Sequence, residues 1–77
     1  MDIQMTDVTI HIDEELAEND LQEIEEDLRH YDGVISVHHE QNRPHLMLVE
    51  YNIDLATSKG ILNSLTNQGL HAELIGL

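Results

Sequence analysis

The chain has no cysteine, tryptophan or phenylalanine, one proline, and only three basic residues among its 77. Each shortage closes off a class of structure or chemistry. Without cysteine there is no disulfide, no thiolate metal site and no thiol redox chemistry. With Tyr31 and Tyr51 as the only aromatics, the core must be built from Leu, Ile and Val. A chain this short has room for one domain, near the lower size limit for folding alone. Arg29, Arg43 and Lys59 stand against 16 acids, for a formal net charge of −13. That charge repels phosphate backbones and anionic bilayers, so neither nucleic acid nor a membrane surface is an expected partner. Cations and basic proteins are the partners that the field attracts. No apolar run is long enough to span a bilayer. The opening Met-Asp-Ile-Gln-Met-Thr-Asp has neither the basic nor the apolar region of a secretory leader, which points to the cytoplasm. The chain also has no Gly-x-Ser-x-Gly elbow and no glycine-rich phosphate loop, and its serines lie outside any triad pattern. No enzymatic activity is expected.

What is present is patterned. Val8-Thr-Ile-His-Ile12 alternates apolar and polar residues, the period of a half-buried strand. Leu21, Ile24, Leu28 and Tyr31 recur at helical spacing and predict a helix over 20–32 with an acidic outer face. Asn19 and Gln22 have the spacing of a capping box at its start, and Gly33 suits its end. Val34–Glu40 predicts a second strand, 41–44 a polar turn, and His45–Tyr51 a third, more apolar strand. Asp54 is the expected N-cap of a second helix with Leu55, Ile61, Leu62 and Leu65 on its apolar face. Gly60 lies inside that helix, where it would allow close contact with the sheet, and Gly69 closes it. Leu70–Ile75 completes the series as a fourth strand.

The order strand, helix, strand, strand, helix, strand predicts an α+β, ferredoxin-like βαββαβ sandwich. Both helices would pack on one face of a four-stranded antiparallel sheet, in one domain over 1–77 with its core in 8–75. Particular residues add a resemblance. Ile24-Glu25-Glu26-Asp27-Leu28, Asp32-Gly33-Val34, Val37, Val49-Glu50-Tyr51-Asn52, Ile61, Leu65 and Gly69-Leu70-His71-Ala72-Glu73-Leu74 are similar to the pattern of the heavy-metal-associated domain family. That family includes copper chaperones and the N-terminal domains of copper-transporting ATPases. The resemblance covers about residues 8–75 and implies the same fold and an ancestry among metal-handling domains. The family's Met-Thr-Cys-x-x-Cys motif has no counterpart. Counted back from Ile24, its cysteines fall on Ala17 and Asp20 and its methionine on Glu15. Soft thiolates select Cu(I) and related ions, and these residues cannot replace them.

Three features remain as candidates for function. The first is six histidines. By strand parity Val8, Ile10 and Ile12 face the helices, which turns His11 to the open sheet face. The same parity turns His71 and Glu73 outward on the neighbouring fourth strand. His11, His71 and Glu73 are thus candidate ligands for a divalent transition metal such as Zn²⁺, Ni²⁺ or Cu²⁺. His38 faces outward on the far edge strand, whereas His39 and His45 face inward near the hairpin, where they could meet. The second feature is an apolar patch on the open face, formed by Leu46, Leu48 and Ile75. A surface of that kind is expected to be covered by a second copy or by a protein partner. The third is the acidic first helix, with Glu18, Asp20, Glu23, Glu25, Glu26 and Asp27, a field suited to a basic partner. The leading expectation is a non-catalytic protein-interaction or regulatory module related to metal-handling proteins. A His/carboxylate metal carrier is the alternative.

Overall fold

The computed structural model describes residues 4–75, so the ends of the span expected for the domain, 1–3 and 76–77, lie outside the described residues. The elements are β1 (Met5–Ile12), α1 (Glu18–Arg29), β2 (Val34–Glu40), β3 (Arg43–Asn52), α2 (Ser58–Thr66) and β4 (Ala72–Ile75). The sheet is antiparallel with strand order β2-β3-β1-β4, and both connections that contain a helix cross on one side of it. This is the expected ferredoxin-like arrangement.

The alternation in β1 sets the layers. Val8, Ile10 and Ile12 are buried, and with Val37, Met47 and Val49 they form the sheet's half of the core. Leu21, Ile24 and Leu28 from α1 and Ile61 and Leu65 from α2 supply the other half. Each fully buried Leu or Ile contributes roughly 1.5–3 kcal/mol of transfer free energy, and Tyr51 is buried among these aliphatic residues.

Several local details differ from the sequence expectation. Helix α1 starts two residues early. Its N-cap is Ala17, with no side-chain cap, and Asn19 lies inside the first turn. The entry is held instead by Leu16, which packs on the core at the N′ position while Leu21 is buried at N4, the two positions of a hydrophobic staple. Helix α1 also ends at Arg29, before Tyr31, which still packs on the core. Helix α2 is capped by Thr57, whose Oγ1 accepts the Gly60 N–H at 3.0 Å. Asp54 lies in a turn and donates its N–H to Asn52 Oδ1, and Leu55 is 67% exposed rather than on the helix. Gly60 faces Tyr31 and not the sheet, since a Cβ there would stand 2.6 Å from the Tyr31 hydroxyl oxygen. Strand β3 begins at Arg43, opposite Glu40, and takes in Pro44. Pro44 pairs with neither neighbouring strand, so its missing N–H breaks no ladder bond.

One buried carboxylate crosses the layers. Glu25 on α1 accepts a hydrogen bond from His39 Nδ1 on β2 at 2.9 Å, with both side chains only 7% exposed. Arg29, one turn further along α1, donates to the Val37 carbonyl at 3.1 Å and stands 3.9 Å from Glu25. This polar clamp fastens α1 to the edge of the sheet.

Gly33 and Gly69 both have positive φ, 94° and 89°. A Cβ on Gly33 would meet the Cβ atoms of Ala56 and Leu55 at 2.9 Å, whereas one on Gly69 would meet nothing within 4 Å. Gly69→Ala is therefore expected to cost about 1–2 kcal/mol from backbone strain alone. Gly33→Ala adds overpacking and should cost about 1–3 kcal/mol more. Urea unfolding of the two variants measures the difference, and equal losses would show that the Gly33 contact is soft.

Candidate functional site on the open sheet face

The face of the sheet turned away from the helices carries the candidate residues. Register places them in rows across the strands. Leu48 lies opposite His38 on β2 and Thr9 on β1, and Thr9 lies opposite Ile75 on β4. The next row runs from Leu46 to His11 to Glu73. Leu46 and Leu48 are half-buried and Ile75 is 40% exposed. Beside the two leucines lies a hollow of about 150 Å³ rimmed by His38 and Arg43. Further along the sheet Ser36 donates to Glu50 Oε1 at 2.6 Å, which fixes that carboxylate on the open face.

The histidines separate into distinct settings. His11 Nδ1 lies 3.0 Å from Asp13 Oδ1 and 3.6 Å from Glu73 Oε1. The His11 ring stacks on His45, with centroids 5.8 Å apart and planes inclined by 20°. His45 donates from Nδ1 to the Ile12 carbonyl at 2.8 Å, so its ring closes the end of β1. His39 turns to the helix side and joins the Glu25 clamp. His39 and His45 consequently do not meet, because each is claimed by a different acceptor.

His71 stands apart from His11. It precedes β4, and its ring is 80% exposed. Its backbone N–H is shared by the two carboxylate oxygens of Glu14, at 2.9 and 3.0 Å, and its Nδ1 donates to Glu14 Oε2 at 2.7 Å. Of the residues singled out from the sequence as ligands, the structure thus brings His11 and Glu73 together and gives His71 to Glu14. Asp13, which strand parity did not reach because it lies just past β1, joins the first two. Its position is fixed by a hydrogen bond from its N–H to the His71 carbonyl at 2.8 Å. Sequence reasoning also missed the exposed apolar residues Met5, Ile35, Ile53 and Leu55, which gather around the opposite ends of the strands.

The region between β1 and α1, Asp13–Ala17, holds no soft donor. A copper or mercury thiolate site cannot form in this chain. The donors gathered around His11 are imidazole and carboxylate, a set suited to borderline divalent ions.

No protein-family model and no curated protein matches the sequence. Solved structures do match the fold. One is a copper-binding domain from HMA7, a P-type ATPase, with a TM-score of 0.81 and 14% identity over 91% of this chain and 93% of that one. Another is the mercury-bound form of MerP, the periplasmic protein of the bacterial mercury detoxification system. It has a TM-score of 0.72 and 13% identity over 91% of this chain and 96% of that one. The chain therefore has the fold of heavy-metal-associated domains, without their cysteine motif.

The Glu14–His71 pair is expected to make stability depend on pH in two directions. The hydrogen bond from the His71 ring, followed by that from its backbone N–H, holds the Glu14 carboxyl below its ordinary value, and the same ring bond holds His71 above its own. Glu14's contribution is present above its ordinary value and fades as pH falls through its lowered value. The contribution of His71 is complete below its ordinary value and fades as pH rises through its raised value. The pair is thus fully formed between about pH 4.5 and 6.5 and weakens on both sides. Urea midpoints of metal-free protein from below to above this window should follow that profile, and Glu14→Gln should flatten it. A profile unchanged in Glu14→Gln would assign the pH dependence to other groups.

Proposed function

We propose that this domain is a non-catalytic interaction module related to metal-handling proteins, working through contact between its open sheet face and another protein. The observation that carries the reading is the row Leu48, Thr9 and Ile75 with Leu46 beside it, on a face that neither helix covers. Leu46 and Leu48 stand together on β3, and Ile75 lies in the row of Leu48 with Thr9 between them, on an uncovered face of the kind that partners cover. The hollow beside Leu46 and Leu48 has room for one partner side chain.

Electrostatics selects the partner. Asp7, Glu50 and Glu73 border the apolar row on the same face, and the whole chain carries −13. A second copy would press like charges together, whereas a basic protein with an apolar centre would be drawn to the face and oriented on it. The acidic outer side of α1 extends the same field. No described helix is long and apolar enough to cross a membrane. The similar domains of HMA7 and MerP bind copper and mercury. Without thiolates this chain cannot copy that chemistry.

The test compares wild type with Leu48→Asp. Wild type should sediment as a monomer. When immobilised, it should capture a basic protein from its host lysate and release it as salt rises. Leu48→Asp should lose about tenfold or more of that affinity, since a buried leucine contributes roughly 1.5–3 kcal/mol. Hydrogen exchange should show protection on β3 and β1 in the complex. Undiminished capture by Leu48→Asp, with protection confined to the helices, would refute the reading.

A further inference from the structure

The cluster around His11 borders the docking face and has its own geometry. His11 Nδ1 is sealed from solvent and has no hydrogen-bond partner, although Asp13 Oδ1 lies only 3.0 Å away. Leaving a buried ring nitrogen unpaired between two carboxylates costs free energy, which either a bridging proton or a bridging cation relieves. One donor atom from each of His11, Asp13 and Glu73 lies within 4.8 Å of the other two.

The spacing fits an ion. Zinc–nitrogen and zinc–oxygen bonds of about 2.0–2.2 Å in tetrahedral geometry put neighbouring donors roughly 3.3–3.6 Å apart. The observed separations from the ring nitrogen are 3.0 and 3.6 Å. Small side-chain rotations of the exposed carboxylates would equalise them. The scaffold is also prepared. Glu73 is held opposite His11 by the β1–β4 ladder, Asp13 is held by its N–H bond to His71, and the His11 ring is held by its stack on His45. Such outer contacts orient ligands in metal sites. Asp13 and Glu73 also line an open depression beside β4, so both carboxylates reach solvent.

We propose that His11, through Nδ1, with Asp13 and Glu73, binds one divalent transition-metal ion of the Zn²⁺ or Ni²⁺ class, leaving a coordination position open to solvent. The imidazole sets this site apart from Mg²⁺ and Ca²⁺ sites, which are built from oxygen donors. The strongly negative chain raises the local concentration of any cation. The site differs in residues and in donor chemistry from a thiolate motif, and it stands whether or not the open face docks a protein.

The experiment is calorimetric titration of tag-free, chelator-treated protein with ZnCl₂ and NiCl₂ at physiological salt, paired with NMR of the histidine rings. The expected result is one saturable site per chain, with His11 ring signals moving first and excess Mg²⁺ unable to compete. His11→Ala and Glu73→Gln should each weaken binding about tenfold or more, and His38→Ala should leave it unchanged. Glu73→Gln alters an exposed side chain, so it remains informative if His11→Ala unfolds the protein. Absence of a saturable site would overturn the proposal. So would binding indifferent to both variants, or equal losses in His38→Ala, which would indicate diffuse attraction to the acidic surface.

Discussion

The burial of Val8, Ile10 and Ile12 beneath the two helices constrains the rest of the molecule. These three side chains hold β1 in a single register between β3 and β4. A slip of one residue would place Thr9 and His11 in the core and expose the three aliphatics, at a cost of several kcal/mol. With the register set, Thr9 must face outward in line with Leu48 and Ile75, and His11 must face outward between Leu46 and Glu73. The apolar row and the histidine–carboxylate cluster are both consequences of what the helices cover on the other side.

Polar groups concentrate at one end of the sheet. There the Glu25–His39–Arg29 clamp ties α1 to β2, the Glu14–His71 pair ties the β1–α1 segment to β4, and His45 caps β1. In a domain with no disulfide and few aromatics, these pairs orient the connections that the small core reaches least. They also use up histidines. Of the six, His39, His45 and His71 are committed to named acceptors, and His30 bonds the Glu26 carbonyl. His11 alone among these has a buried ring nitrogen without a hydrogen bond.

The fold was legible because its signals are periodic. Alternation at 8–12 and helical spacing from Leu21 to Leu28 report burial directly, and burial is what the sheet and helices obey. The helix starts differ from the capping patterns because packing outweighs local caps. Asn19 offered a cap, but Leu16 and Leu21 pinned the chain so that Ala17 took that place. Asp54 offered another, but Asn52 captured its N–H in a turn and Thr57 capped the helix instead. The site was legible only where parity applies. His11 and Glu73 lie on paired strands, so their proximity follows from register. Asp13 and His71 lie just beyond the strand ends, where placement is set by the His71 bonds to Glu14 and by the Asp13 N–H bond to the His71 carbonyl. No periodic rule encodes those.

The register shift in β2 has a consequence for how this protein can meet others. Val34 and Ser36 pair with the consecutive residues Tyr51 and Glu50, so Ile35 is looped out of the ladder as a bulge. Because β2 is an edge strand, its outer hydrogen-bonding groups would otherwise template an incoming strand. The bulge twists that edge, and any chain adding to it would need a matching kink. Sheet extension, the route to edge-to-edge polymers and to capture of extended peptides, is obstructed along β2. Even at high concentration, contacts through this side of the molecule are directed away from backbone pairing and toward side chains.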